Sequence, residues 1–132
     1  MARIRVSTPV RPTEDPTKVE AALRNLFPEL ELEEIEGFVK GTSTSLDRLR
    51  ELIRNQKIRD SARSLFRRGR TDDRTTVQLN KQAAFVSRVN FGEDGPLGEI
   101  LVEIESDRLD EEIDFVAERT TGPRTSSRSE RT

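Results

Sequence analysis

The residues with the most chemistry to offer lie between Gln56 and Arg70. Lys57, Arg59, Arg63, Arg67, Arg68 and Arg70 stand there against a single acid, Asp60, in a chain of formal net charge −2. A local reversal of sign points to a partner of opposite charge, most often a nucleic acid. Arg59, Arg63, Arg67 and Arg70 step by four, four and three, so on a helix they share a face. Ile58, Ala62, Leu65 and Phe66 form an apolar stripe that holds the same helix down. The arginine row, with Arg68 beside it, spans about 16 Å at 1.5 Å per residue. That length suits a run of backbone phosphates, which guanidinium forks grip in bidentate fashion. A solvated helix face interleaves acids at i,i+4, and Asp60 alone does so here, which favours phosphate binding over plain solvation. A second candidate is the turn Asn80-Lys81-Gln82-Ala83-Ala84, which offers amide and ammonium donors on an exposed corner. Taken alone, such a corner reads first as a turn capped by Asn80.

Other chemistries are disfavoured by what the chain lacks. It has no cysteine, so no disulfide and no thiolate, and no histidine, the commonest general base and metal ligand near neutral pH. No catalytic spacing, cofactor motif or metal site appears, so the chain reads as a non-enzyme. The acidic clusters Glu31, Glu33, Glu34, Glu36 and Asp110, Glu111, Glu112, Asp114 read as solvated faces, because hard-cation sites need converging carboxylates. The six phenylalanines, Phe27, Phe38, Phe66, Phe85, Phe91 and Phe115, fall on or beside apolar stripes and read as core. An RNA partner would then be held by shape and backbone, not by stacking of bases on exposed rings. No apolar run approaches the roughly 20 residues of a membrane helix. The start alternates charged and apolar residues, unlike a signal peptide. A soluble cytoplasmic protein with no small-molecule substrate is expected.

The elements that position the basic stretch follow from periodicity. Residues 2–10 read as a strand with Ile4 and Val6 on one face. Asp15 and Pro16 start a helix that buries Val19, Ala22, Leu23, Leu26 and Phe27, and Pro28 stops it. Residues 29–36 form a strand with a bulge or a bend near Glu33-Glu34, where Ile35 falls out of alternation. Gly37 turns the chain into a short strand over 38–42. Ser and Thr at 42–45 cap a helix that buries Leu46, Leu49, Leu52 and Ile53. The basic helix ends at Gly69. Strands are expected over 75–79, 85–91 and 99–105, with a helical turn at 80–84 and a hairpin loop at 92–96. A last helix carries Leu109, Ile113 and Val116. The sum is an α+β fold of two layers, one mostly antiparallel sheet with helices packed on one face. Residues 1–117 form a single domain. Residues 118–132 hold almost no large apolar side chain and read as a disordered polar tail.

With these segments in view, the chain resembles an archaeal family of uncharacterised proteins predicted to bind RNA, whose fold is like that of ribosomal large-subunit protein L-five. The resemblance is carried by residues 19–28 (VEAALRNLFP), 58–63 (IRDSAR), 79–84 (LNKQAA) and 95–98 (GPLG), and extends over about 2–115. It implies a non-catalytic protein that binds a structured RNA, ribosomal or another non-coding RNA. The site would comprise Arg59, Arg63, Arg67, Arg68 and Arg70, helped by Asn80, Lys81 and Gln82. The alternative is a protein-interaction or assembly factor, homodimeric in one form, whose basic helix docks on an acidic protein surface.

Overall fold

The computed structural model describes residues 2–91 and 99–118. The expected hairpin loop at 92–96 and all but the first residue of the expected tail lie outside them. The chain runs β1 (Arg3–Pro9), α1 (Pro16–Leu26), β2 (Glu31–Ile35), β3 (Phe38–Ser43), α2 (Asp47–Asn55), α3 (Arg59–Arg68), β4 (Arg70–Thr71), β5 (Arg74–Leu79), α4 (Lys81–Phe85), β6 (Ile100–Glu105) and α5 (Leu109–Val116). The strands form one sheet in the order β2-β3-β1-β6-β5-β4, with every pairing antiparallel.

Alternation gives this sheet two unlike faces. Ile4 and Val6, Val39, Val77 and Leu79, and Ile100, Val102 and Ile104 point inward. They meet Leu23, Leu26 and Phe27 at α1, Leu49 and Ile53 of α2, Ala62 and Phe66 of α3, and Ile113 and Val116 of α5. The helices therefore form one layer, and the opposite sheet face carries the intervening polar residues. Burying side chains of this size stabilises by about 1.5–3 kcal/mol each, so this single core holds both layers together.

Local chemistry sets the element ends. Asp15 accepts from the Thr17 N–H, with Pro16 at the first helical position, as expected. The turn between α2 and α3 is a Schellman motif. The Ile58 N–H reaches the Ile53 carbonyl and the Lys57 N–H reaches that of Arg54, with Lys57 at φ +60° where glycine is usual. The same motif closes α4, from Arg88 to Ala83 and from Ser87 to Ala84, with Ser87 at φ +57°.

Three expectations are corrected. No bulge interrupts β2: its register with β3 is continuous from Glu31 opposite Thr42 to Ile35 opposite Phe38. Ile35 lies on the open face because it stays in alternation with Glu31 and Glu33. The strand expected over 85–91 is absent; α4 takes Lys81–Phe85, and the 87–91 segment makes one bridge, Phe91 to Leu79. The Asn25 carboxamide donates to the Ala84 and Phe85 carbonyls, and the turn bonds occupy further groups that a ladder would need. Finally, Phe38 and Phe115 are exposed, while Phe27 and Phe66 are buried.

Helix α3 is fixed to β5 at two points. The buried Thr75 hydroxyl donates to the Phe66 carbonyl. One residue past the helix, a Cβ placed on Gly69 would lie 2.2 Å from the Thr76 carbonyl oxygen. That oxygen belongs to a paired strand and has no room to retreat. Gly69→Ala is expected to lower stability by about 1–3 kcal/mol, read as a lower urea midpoint with an unchanged m-value.

Candidate nucleic-acid interface

The expected phosphate-binding row does not face solvent as a unit. Each residue of a helix turns by about 100° from the one before, so Arg59 and Arg63 flank the stripe of Ile58 and Ala62 and do not oppose it. They lie at the seam with α5 and the residues just past it, where acids recur every four residues as Asp110, Asp114 and Glu118. Arg59 pairs with Glu118 at 3.0 Å, Arg63 with Asp114, and Arg70 with Asp110. The acids expected at i,i+4 on the same helix are supplied instead from about 50 residues downstream. Asp110 and Asp114, expected to be solvated, are ion-pair partners.

Arg63 does more than pair. Its side chain is only 11% exposed, and its guanidinium also donates to the Ala117 carbonyl at 3.3 Å. Arg50 of α2 donates to the Phe115 carbonyl at 2.9 Å, reaches Glu118 at 3.3 Å and lies over the Phe115 ring. Helix α5 has no basic residue in its last turn. Its orphan carbonyls and negative dipole end are met by arginines from two other helices. Arg63→Ala is expected to cost about 1–2 kcal/mol. Arg67→Ala should fall within about 0.5 kcal/mol, the usual range for a surface position. Paired urea titrations of the two variants check the contrast.

The turn at 80–84 is likewise committed to structure. The Asn80 carboxamide oxygen caps α4 by accepting from the Ala83 N–H at 2.9 Å. Lys81, expected on an exposed corner, is 1% exposed. Its ammonium donates to the Pro9 carbonyl at 2.6 Å and to both Glu14 oxygens at 3.0 and 3.3 Å, with Glu99 at 3.8 Å. A buried cation is tolerated when its charge and its donors are satisfied in this way. Gln82 remains exposed. Burial acts to raise the Glu14 pKa, but the Arg11 N–H and the Lys81 ammonium hold it below the ordinary carboxylate value. A depressed folded-state pKa contributes stability above the unfolded value of about 4.3, and that stability is lost as pH falls through the lower folded value. Glu14→Gln is expected to lower stability at neutral pH and to flatten the acid limb of the curve below about pH 5. Urea midpoints taken across pH read this.

Lys18 of α1 and Lys40 of β3 are exposed and without an ion pair among the described residues; the other open cations gather around the α2–α3 turn and on α3. Arg54, Lys57, Arg67 and Arg88 are exposed and make no ion pair among the described residues. Arg68 is exposed too and has a partner of its own. The Gln56 carboxamide joins Lys57 and Arg88 into one surface by bonding both the Val89 N–H, at 2.7 Å, and its carbonyl, at 2.8 Å. Sequence reasoning misses Arg54 and Arg88 because they lie outside the basic run, and no signal in the sequence joins them to it. No group of acidic residues that could hold a metal occurs among the described residues. No helix there is long and apolar enough to cross a membrane.

A family model described as RNA binding matches residues 3–106. A UPF0201 protein of Methanothermobacter thermautotrophicus is 44% identical over 127 residues, which cover 93% of this chain and 96% of the relative. The chain belongs to the UPF0201 family. A crystal structure of the UPF0201 protein of Methanococcus jannaschii superposes with a TM-score of 0.80 at 38% identity, over 91% of this chain and 96% of that one. A second UPF0201 crystal structure gives 0.84 at 40% identity, covering 93% and 98%. None of these three UPF0201 proteins carries an enzymatic name, and the two-layer α+β fold expected from sequence is that of the family.

Proposed function

We propose that the chain is a non-catalytic RNA-binding protein that holds the sugar–phosphate backbone of a structured RNA, ribosomal or another non-coding RNA. The contact surface is the outer side of the helical layer: Arg54, Lys57, Arg67 and Arg88, with Arg68 beside them and Gln82 as a further polar group. The observation that carries this reading is the selective absence of partners. Along the basic stretch and its neighbours, Arg63 and Arg70 are neutralised by α5 and Arg59 by Glu118 just past it, whereas these four cations have no carboxylate among the described residues. Lys57 stands just before α3 and Arg67 in its last turn, so the two bracket most of its ten residues, about 15 Å in length, enough for several phosphates of one strand. Lys57 holds an αL position at a cost that glycine would avoid, which fits a site where the ammonium itself is needed. Membership of a family described as RNA binding supports the same reading.

The mode follows from what is missing. On the helical layer the exposed ring among the described residues is Phe115, and the Arg50 guanidinium covers it, so recognition is by charge and shape. Binding should be strongly salt-dependent, with log K falling by about 0.7–0.9 per phosphate contact and a total slope of about 3–4 for four contacts. Filter binding of a stem-loop RNA at about 50–200 mM salt measures this. Arg54→Glu with Arg67→Glu is expected to weaken binding tenfold or more and to reduce the slope by about two, with stability unchanged. No binding by the parent chain at low salt, or an unchanged slope in the double variant, would overturn the proposal.

A further inference from the structure

The open face of the sheet presents a different pattern from the helical layer. From β3 to β5 its residues align in rows: Thr42, Arg5, Glu103 and Thr76 form one, and Lys40, Ser7, Leu101 and Gln78 the next. The two central strands have opposite signs. β1 presents Arg3 and Arg5, and β6 presents Glu103 and Glu105 directly beside them. Within the chain these already pair, Arg5 with Glu103 at 2.8 Å and Arg3 with Glu105 at 3.6 Å. The Arg5 hydrogen bond, outweighing burial, holds the Glu103 carboxyl below its ordinary pKa. Glu103 is therefore ionised at neutral pH.

We infer that this face binds a second copy of the chain, with the two-fold axis lying along the strands between β1 and β6. The axis is also the midline of the six-stranded sheet. Such a rotation exchanges β1 with β6 and β3 with β5. Arg3 then faces Glu105 of the other copy, Arg5 faces its Glu103, Thr42 faces its Thr76 and Lys40 faces its Gln78. Axes through β1 itself set Arg5 on Arg5, and axes between β1 and β3 set Glu31 on Glu103. An isologous interface needs a strip of one sign beside a strip of the other, equidistant from the dyad, and this face has it. Shape agrees with charge. Leu101 is 41% exposed and, with Ser7, Thr42 and Thr76, borders a shallow depression of about 640 Å³; its counterpart under the rotation is Ser7. Each copy's leucine is thus set over the small Ser7 of the other, within the depression that both residues line. Packed sheets cross at about 30°, so the match holds best at the central strands, where the pairs are. The face offers a polyanion no excess of cations, since Glu31, Glu33, Glu103 and Glu105 balance Arg3, Arg5, Lys40 and Arg74.

The face is small. Five strands of five to seven residues and the two-residue β4, about 4.8 Å apart, give roughly 500 Å² per copy, below the ~800 Å² of a standard interface. The dimer is therefore concentration-dependent, and screening by salt weakens it. This surface lies on the opposite side of the sheet from the proposed RNA contacts, so either proposal can fail alone.

Sedimentation equilibrium of the full chain at about 50 mM and about 500 mM salt reads the dimer directly; the screening length falls about threefold between them. The expected result is a monomer–dimer equilibrium at low salt that shifts toward monomer at high salt. Arg5→Glu alone and Glu103→Arg alone should each remain monomeric. An equimolar mixture of the two should dimerise, because every cross-dyad pair is then again of opposite sign. Leu101→Arg, which touches none of the intrachain pairs, should abolish association and keeps the test open if a charge variant fails to fold. A strict monomer at low salt, a dimer indifferent to Leu101→Arg, or a mixture that stays monomeric would overturn the inference.

Discussion

Helix α5 ends without a glycine, a basic residue or a side-chain cap of its own, and the helical layer is arranged around meeting that need. Its last carbonyls belong to a helix that brings Leu109, Ile113 and Val116 into the core, so leaving them unsatisfied would weaken the core that carries it. Arg50 from α2 and Arg63 from α3 reach these groups, and the same guanidinium ions meet the acids of α5 and its end. Three helices are thereby tied at one place. An exposed ion pair contributes at most about 1 kcal/mol; the hydrogen bonds of Arg63, nearly enclosed, matter more because a lost partner would strand a carbonyl.

The architecture is legible in the sequence where local chemistry decides it. Asp15-Pro16, the alternation of Ile4 and Val6, and the spacing of Leu49, Leu52 and Ile53 each specify their element without knowledge of the rest. The site is harder. A sequence shows which residues share a helix face, but not what the face meets. Arg59 and Arg63 meet carboxylates some 50 residues away. Their own helix cannot announce those partners, although the i,i+4 recurrence of Asp110, Asp114 and Glu118 is present to be matched against them. Lys81 follows the same pattern. Its polar neighbours Asn80 and Gln82 mark an exposed corner, while Glu14 and Glu99, distant in the chain, bury the ammonium. The strand expected at 85–91 fails for a related reason, since Asn25 of α1 claims the carbonyls at its start.

The two layers end up with distinct electrostatic characters. The helical layer cancels most of its charge internally and leaves a few cations open around a glycine-free turn. The open sheet face cancels its charge in columns, so that its central strands are neutral together and polar in detail. A tally of net charge hides both arrangements. The family fold rests on solved UPF0201 structures at 38–40% identity.

The strand order carries a consequence for how the chain is made. β1 is the first of the described strands to be synthesised, yet one of its two neighbours, β6, is the last of them. Its other neighbour, β3, is complete by Ser43, whereas β6 is complete only at Glu105. At about 5–20 residues per second, β1 then waits roughly 3–12 s with one edge unpaired. Open edges recruit other nascent strands. During that interval Arg3 and Arg5 stand on the exposed strand without their glutamates, and the like charge that they present to another copy of β1 keeps unfinished chains apart.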